Sequence, residues 1–299
     1  MPPEKHPDPS HDSRSDRGAE VRDWADAIAR AARCIAEADA ILVTAGAGMG
    51  VDSGLPDFRG PAGFWKAYPG LGRHRLGFTD IACPAAFDSV PRLAWGFYGH
   101  RLKLYRETRP HEGFAVLQRL AHSKPKGLRV FTSNVDGQFQ LSGIASAHVV
   151  ECHGSIHRLQ CMDDCGRPVW LADDLSPDID ESVCEWRGAL PTCPQCGALA
   201  RPNILMFGDW GWAGDRYEAA EGDLVDWLGT TRRPVVVELG AGTAIPSVRL
   251  FGERTRRLLV RINVREPEVP RPMDVAIGLG AREALEAIEV AVIKLGAGG

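Results

Sequence analysis

The sequence predicts an α/β fold: a parallel sheet with helices on both faces, interrupted by a small cysteine-bearing insertion. Three observations carry this. Apolar runs of strand length, AILVTA (40–45), GLRVF (127–131), RPVVVEL (233–239) and RLLVRINV (257–264), alternate with stretches of helical spacing. The first run passes directly into glycines, AGAGMG (45–50), the strand–loop–helix order that opens α/β nucleotide-binding domains. Two close cysteine pairs fall within 158–202, where strong apolar runs are few. The organisation expected is therefore a Rossmann-like domain over 21–157 and 203–299, with a zinc-binding module at 158–202.

In chain order, VRDWADAIARAARCIAEAD (21–39) sets Val21, Trp24, Ile28, Ala32 and Ile35 on one helical face. The aromatic, glycine and proline content of 61–110 suggests a loop that moves, then a helix over PRLAWGFYGHRLKLYRE (91–107). GLRVFTSNVDG (127–137) reads as a second strand running into a polar loop. HVVECHGSIHRLQC (148–161) reads as a third strand and the entry to the cysteine region. AREALEAIEVAVIKL (281–295) closes the chain as a helix.

Bulk properties narrow the function. A 299-residue chain with 44% hydrophobic and 25% charged residues has the ordinary balance of a globular protein with a large core. Its net charge of −4 leaves no footprint for nucleic acid or an anionic membrane. Residues 1–20 are polar, lack the apolar stretch of a secretory signal and read as a disordered tail. No run approaches a membrane span, so the cytoplasm is the expected compartment. Composition leaves the oligomeric state open.

The glycine loop departs from the ordinary dinucleotide fingerprint. Gly46 and Gly48 fit G-x-G-x-x-G, but Val51 occupies the third glycine position and no acid follows at the distance that holds a ribose. Hydride transfer of the standard kind is disfavoured. The loop still offers backbone N–H groups to an anion, with a plain tight turn as the alternative. Behind it, Arg59 suits a phosphate and Phe58 a ring, or Asp57 and Arg59 form a surface pair. The spacing Cys161-x3-Cys165 and Cys193-x2-Cys196 matches a closed four-thiolate zinc site rather than incidental thiols. The acidic stretch between the pairs works against a nucleic-acid-binding ribbon.

GAGMGVDSGLPDFRG (46–60) is very similar to the signature of the sirtuins, NAD-dependent protein deacylases. Further blocks resemble that family in order: TSNVD (132–136), His153-Gly154, the two cysteine pairs, RPNILMFGD (201–209) and Ile262-Asn263. The resemblance covers roughly 21–295 and implies NAD as co-substrate, structural zinc and acylated protein substrates. It implies that Gly46, Ala47, Gly48 and Arg59 line the NAD phosphates and nicotinamide ribose, with Asp57 and Phe58 guarding the nicotinamide pocket. Asn134 would position that ribose, Asp136 would hold the carboxamide, and Asn263 would contact the adenosine end. His153 would be the general base, relaying a proton from a ribose hydroxyl after the substrate carbonyl has displaced nicotinamide. The products would be deacylated lysine and O-acyl-ADP-ribose. Ile204, Phe207 and Gly208 would form the acyl-lysine channel. Tyr98 and Arg101 share one helical face and resemble the pair with which some sirtuins bind succinyl- or malonyl-lysine; a packed surface pair is the alternative.

Three departures bear on activity. Ser133 stands where the family has glutamine. ELGAGTAIP (238–246) replaces a Gly-Thr-Ser-Leu block, which would pass adenosine-ribose contacts to Gly240, Gly242 and Thr243. Trp210 and Trp212 adjoin the strand where a peptide would add, and would either block it or grip an unusual acceptor. These departures sustain an alternative in which NAD is hydrolysed or ADP-ribose passes to another acceptor.

Overall fold

The computed structural model describes residues 13–56 and 68–297. Helix α1 (Ser13–Glu37) leads into β1 (Ala40–Ala45), and a helical turn α2 (Gly48–Val51) follows the glycine loop. Helices α3 (Pro91–Glu107) and α4 (Glu112–His122) precede β2 (Leu128–Thr132). Next come β3 (Val149–Glu151), β4 (Gly154–Cys161), the short β5 (Trp170–Leu171), β6 (Ile179–Asp180) and β7 (Glu185–Trp186), and β8 (Ala200–Ile204). The chain ends with α5 (Asp215–Gly229), β9 (Pro234–Leu239), α6 (Ser247–Arg254), β10 (Leu258–Ile262), β11 (Val275–Ile277) and α7 (Ala281–Ala297).

The main sheet is parallel in the order β11-β10-β9-β1-β2-β3. From β1 the chain winds outward through β2 and β3, and then from β9 through β10 and β11 on the other side. The winding thus reverses between β1 and β9, and a crevice opens there at the carboxyl ends of the strands. Every residue of β1 is buried, because both faces are covered. Ile41 and Val43 pack with Ile35, Phe114 and Ile288 of α1, α4 and α7. Leu42 points the other way, into a cluster with Leu224 and Val248 of α5 and α6.

The glycines of the first loop serve this packing. Gly46 N–H donates to the carbonyl of Leu239 and Gly48 N–H to that of Gly240, each at 3.0 Å, so the loops after β1 and β9 lie backbone to backbone. A Cβ on Gly240 would sit 2.4 Å from Gly48 Cα, and Gly240 has a φ of +58° that L side chains rarely adopt. Gly240→Ala is expected to cost about 2–5 kcal/mol, summing a left-handed backbone penalty and overpacking. A urea midpoint equal to the parent's would show that the loops separate without cost.

The run 148–161 holds the expected third strand, β3, in the main sheet, and its entry to the cysteine region is β4, which pairs antiparallel with β5 and β8 in another sheet. The chain leaves one sheet for the other at Cys152 and His153, where Gly154 adopts φ +74°. The helix predicted from 21 starts at Ser13, so 13–20 extend it rather than belonging to the tail.

From Tyr68 the segment expected as a loop is largely helical, with turns at Pro69–Arg73, Phe78–Ile81 and Pro84–Ser89 before α3. It shares one apolar core with the cysteine region: Phe87, Trp95 and Phe97 pack with Ile156, Leu159 and Trp186. A Cβ on Gly96 would lie 1.9 Å from the Cys184 carbonyl oxygen, so α3 runs directly against the 184–185 backbone. The two insertions therefore form a single second body. Among the described residues no helix is long and apolar enough to cross a membrane.

Candidate active site

A cleft of about 670 Å³ opens where the sheet's winding reverses, between its carboxyl edge and the second body. One wall consists of the loops after β1 and β9, including Gly46, Ala47, Gly240, Gly242 and Thr243. Most amides of the glycine loop are already used: Met49 N–H reaches Gly46 O and Gly50 N–H reaches Ala47 O. Ala47 carries the loop amide that donates to no described residue. Gly48 packs behind the cleft rather than lining it.

The loop after β2 forms the back wall. Thr132 Oγ1 donates to Ala45 O at 2.9 Å and accepts from Asn134 N at 3.0 Å, fixing the turn against β1. Asn134 Nδ2 donates to Gly46 O at 3.0 Å, which fixes the amide so that Oδ1 is its remaining acceptor. Ser133 and Asp136 line the same wall. Asp136 Oδ1 accepts from Gln138 N at 2.9 Å. Burial pushes the Asp136 carboxyl up to about 6, against the opposing pull of that N–H and of Arg101. His157 Nε2–H donates to the Asp136 carbonyl at 2.9 Å, so this histidine is a buttress with a fixed tautomer.

His153 sits where the chain passes between the two bodies. Its carbonyl accepts from Leu205 N at 2.9 Å, and Gly154 must be glycine because a Cβ there would meet Asn203 O at 2.1 Å. The imidazole lines the cleft and its Nε2 lies 3.3 Å from Ser247 Oγ. Burial lowers its pKa, so the ring is neutral at pH 7 and able to accept a proton.

The opposite bank comes from the second body. Ile204, Met206 and Phe207 line it, while Gly208 turns away at φ +64° to deliver Asp209. Asp209 accepts from both terminal nitrogens of Arg201, at 2.7 and 2.8 Å, and from the amides of Met206 and Gly211. This buried bidentate pair, invisible as a role in the sequence, holds the bank in shape. Tyr98 and Arg101 are both buried in the cleft, joined by Tyr105.

Some predicted residues lie elsewhere. Asn263 does not line the cleft: its Nδ2 donates to Ala241 O and its Oδ1 accepts from the amides of Arg265 and Glu266. It shapes the loop that presents Glu266. The Glu266 carboxylate, missed in the sequence, takes both Thr243 N–H and Oγ1–H, at 3.0 and 2.9 Å. Thr243 thus has its donors committed. Arg249 ties the same loop down, and Arg261, paired with buried Glu238 and half-buried Glu253, donates to the Glu268 carbonyl and so anchors it to the sheet. Trp210 does not plug the cleft: it is 99% exposed, while Trp212 packs on Tyr217 with ring centroids 5.9 Å apart. Asp57, Phe58 and Arg59 lie outside the described residues.

Residues 46–224 match the Sir2 family model. The chain belongs to the Sir2 family. It is 31% identical to an NAD-dependent protein deacylase of Thermococcus sibiricus over 185 residues, 61% of this chain and 65% of that protein. It is 31% identical to one of Thermus thermophilus over 211 residues, 68% and 74% of the two chains. To the mitochondrial NAD-dependent protein deacylase sirtuin-5 of Danio rerio it is 32% identical over 189 residues, 58% of each chain. The matched region thus spans less than two thirds of some of these relatives. In fold it resembles a Sir2 homolog solved as an NAD complex, with TM-score 0.67, 24% identity and coverage of 88% and 93%. It also resembles a Sir2 protein bound to a myristoylated histone peptide, with TM-score 0.60, 20% identity and coverage of 92% and 99%.

In this Sir2 chain the four paired cysteines converge. The sulfurs of Cys161, Cys165, Cys193 and Cys196 all lie within 4.8 Å of one another, with Cys161 and Cys196 at 3.5 Å and Cys165 and Cys193 at 3.7 Å. A zinc–sulfur bond of about 2.3 Å in tetrahedral geometry places its sulfurs about 3.8 Å apart, so the set fits zinc. Four thiolates leave no open position. The metal's role there is structural, tying β4 to the 193–196 turn.

Proposed function

We propose that the chain is an NAD-dependent protein-lysine deacylase acting on acylated proteins in the cytoplasm, releasing nicotinamide and O-acyl-ADP-ribose. The observation that carries this reading is that His153 and Asn134, from the loops after β3 and β2, line one cleft at the point where the sheet's winding reverses. NAD supplies an anomeric carbon from which nicotinamide can leave. Asn134 Oδ1 holds the adjoining ribose and Asp136 the carboxamide. Ala47 N–H serves the phosphates, and Glu266 and Gly242 face the adenosine half. Neutral His153 takes the proton of a ribose hydroxyl, and the apolar bank of Ile204, Met206 and Phe207 guides the acyl-lysine and excludes water. Eight thiols with no disulfide among the described residues suit a reducing compartment.

The buried Tyr98 and Arg101 in the same cleft support succinyl- and malonyl-lysine as substrates beside acetyl-lysine. Trp210 faces solvent and Trp212 packs on Tyr217, and neither lines the cleft, which supports a peptide acceptor over NAD hydrolysis or transfer to another acceptor. The test is incubation with NAD, with and without acetyl-, succinyl- and malonyl-lysyl peptides, read by mass spectrometry. Peptide-dependent nicotinamide release with loss of the acyl mass is expected. Release that ignores the peptide would overturn the deacylase reading.

The pH dependence follows from the two titrating groups. His153 must be neutral and Asp136 ionised, and both conditions fail on the acid side: burial sets the His153 pKa below the ordinary histidine range, and Asp136 takes its proton near 6. We expect kcat/KM to be level around pH 7 and to fall as pH drops through this window. A profile that rises toward pH 5 would contradict both assignments.

A further inference from the structure

We infer that Ser247 is a positioning residue for His153: its hydroxyl oxygen holds the Nε2–H edge of the imidazole and leaves Nδ1 to accept the proton. The inference rests on the reading of His153 as the general base. His153 Nε2 lies 3.3 Å from Ser247 Oγ, and among the described residues no other group is hydrogen-bonded to the ring. Both residues stand on fixed backbone. The His153 carbonyl accepts from Leu205 N at 2.9 Å. Ser247 opens α6, where Leu250 N donates to Pro246 O at 2.8 Å and Arg249 Nε to Ala241 O at 3.0 Å. The imidazole lines the cleft and Ser247 does not, although its neighbours Ile245 and Val248 do. Ser247 therefore meets the ring from behind, and the Nε2 edge faces α6.

A neutral imidazole carries hydrogen on one nitrogen and a lone pair on the other, and the partner of one nitrogen decides which. A hydroxyl can donate or accept. If Ser247 donated to Nε2, it would have to turn over once the ring took a proton, because both nitrogens of an imidazolium carry hydrogen. With Ser247 accepting from Nε2–H, one hydrogen bond serves before and after the transfer. Nδ1 takes the ribose hydroxyl's proton, the ring becomes cationic, and the bond to Oγ becomes charge-assisted and stronger. The contact is thus worth most when the charge has formed, which is when it helps the reaction. Burial works against that charge, and no carboxylate among the described residues is bonded to the ring to offset it. The partner stands 94 positions from His153, beyond β9, so nothing in the local sequence around the histidine marks it.

The test compares Ser247→Ala and Ser247→Thr with the parent, melting curves verifying that each folds. Nitrogen NMR of the labelled full chain, above the histidine titration range, reads the tautomer, and His153→Ala identifies the signal. The parent should show a single tautomer protonated at Nε2, and Ser247→Ala a mixture of both. Formation of deacylated peptide should fall about tenfold in Ser247→Ala, with exchange of labelled nicotinamide into NAD unchanged. Ser247→Thr keeps the hydroxyl and should keep both the tautomer and the rate. A parent ring protonated at Nδ1 would overturn the inference, as would a Ser247→Ala variant with the parent's tautomer and rate. Equal losses of exchange and product in Ser247→Ala would mean a packing role and overturn it as well. Undiminished product formation by His153→Ala would instead overturn the general-base reading on which the inference stands.

Discussion

Replacing His153 with alanine is expected to lower kcat/KM on an acyl-lysyl peptide by about 10²–10⁴, the usual worth of a positioned general base. Folding should survive, because the side chain's hydrogen-bonding contact is the long one to Ser247 Oγ, at 3.3 Å, whereas its backbone pairing with Leu205 is independent of the ring. The discriminating measurement separates the two halves of the reaction. Departure of nicotinamide requires no base, since the substrate carbonyl oxygen is itself the nucleophile, so exchange of labelled nicotinamide into NAD should persist in His153→Ala. Formation of deacylated peptide should not. Equal loss of exchange and product would place His153 in substrate binding rather than in proton transfer. Burial reinforces the assignment, because a histidine held neutral at pH 7 is available as an acceptor without first losing a proton.

The second large effect is expected at the cysteine cluster. Cys161→Ala should abolish stoichiometric zinc and unfold much of the second body. Structural zinc sites in small peptides contribute about 10–16 kcal/mol of folding free energy. Regular pairing within 162–199 is slight, since β5, β6 and β7 are two-residue strands, so the segment depends on the cluster together with its packing against α3. Activity should fall as well, since β4 runs from Gly154, beside His153, to Cys161 of the cluster, and its partner β8 ends at Ile204 in the cleft wall. Metal analysis with limited proteolysis around Trp170 and Trp186 checks this. A variant that keeps one zinc per chain and an unchanged cleavage pattern would show that Cys161 is not a ligand.

Much of the site was legible because its parts are local. AILVTAGAG carries a buried strand and a close-packed turn within nine letters, and the cysteines show their pairing by spacing. His153 and Asn134 each sit at the end of an apolar run, where a parallel sheet presents its chemistry. The illegible parts are pairings between distant segments. Asp209 with Arg201 and Met206 looks like an ordinary acid until β8 and its loop are folded. Glu266 reaches Thr243 from beyond β10, far in sequence from the glycine loop. The glycines belong with these pairings, because Gly46 and Gly48 face the backbone of 240–241 across the sheet edge.

The parallel α/β sheet, the pairing of the four cysteines and the family are legible in the chain alone, since each is written in short-range periodicity, spacing or contiguous blocks. Tertiary structure alone decided that two separate insertions make one body, that the loop amides are largely spent on each other, and that Ser247 meets the imidazole of His153. Those facts depend on which surfaces meet after the chain has closed over itself. Hydrophobic burial drives that closure without leaving a local mark at either partner.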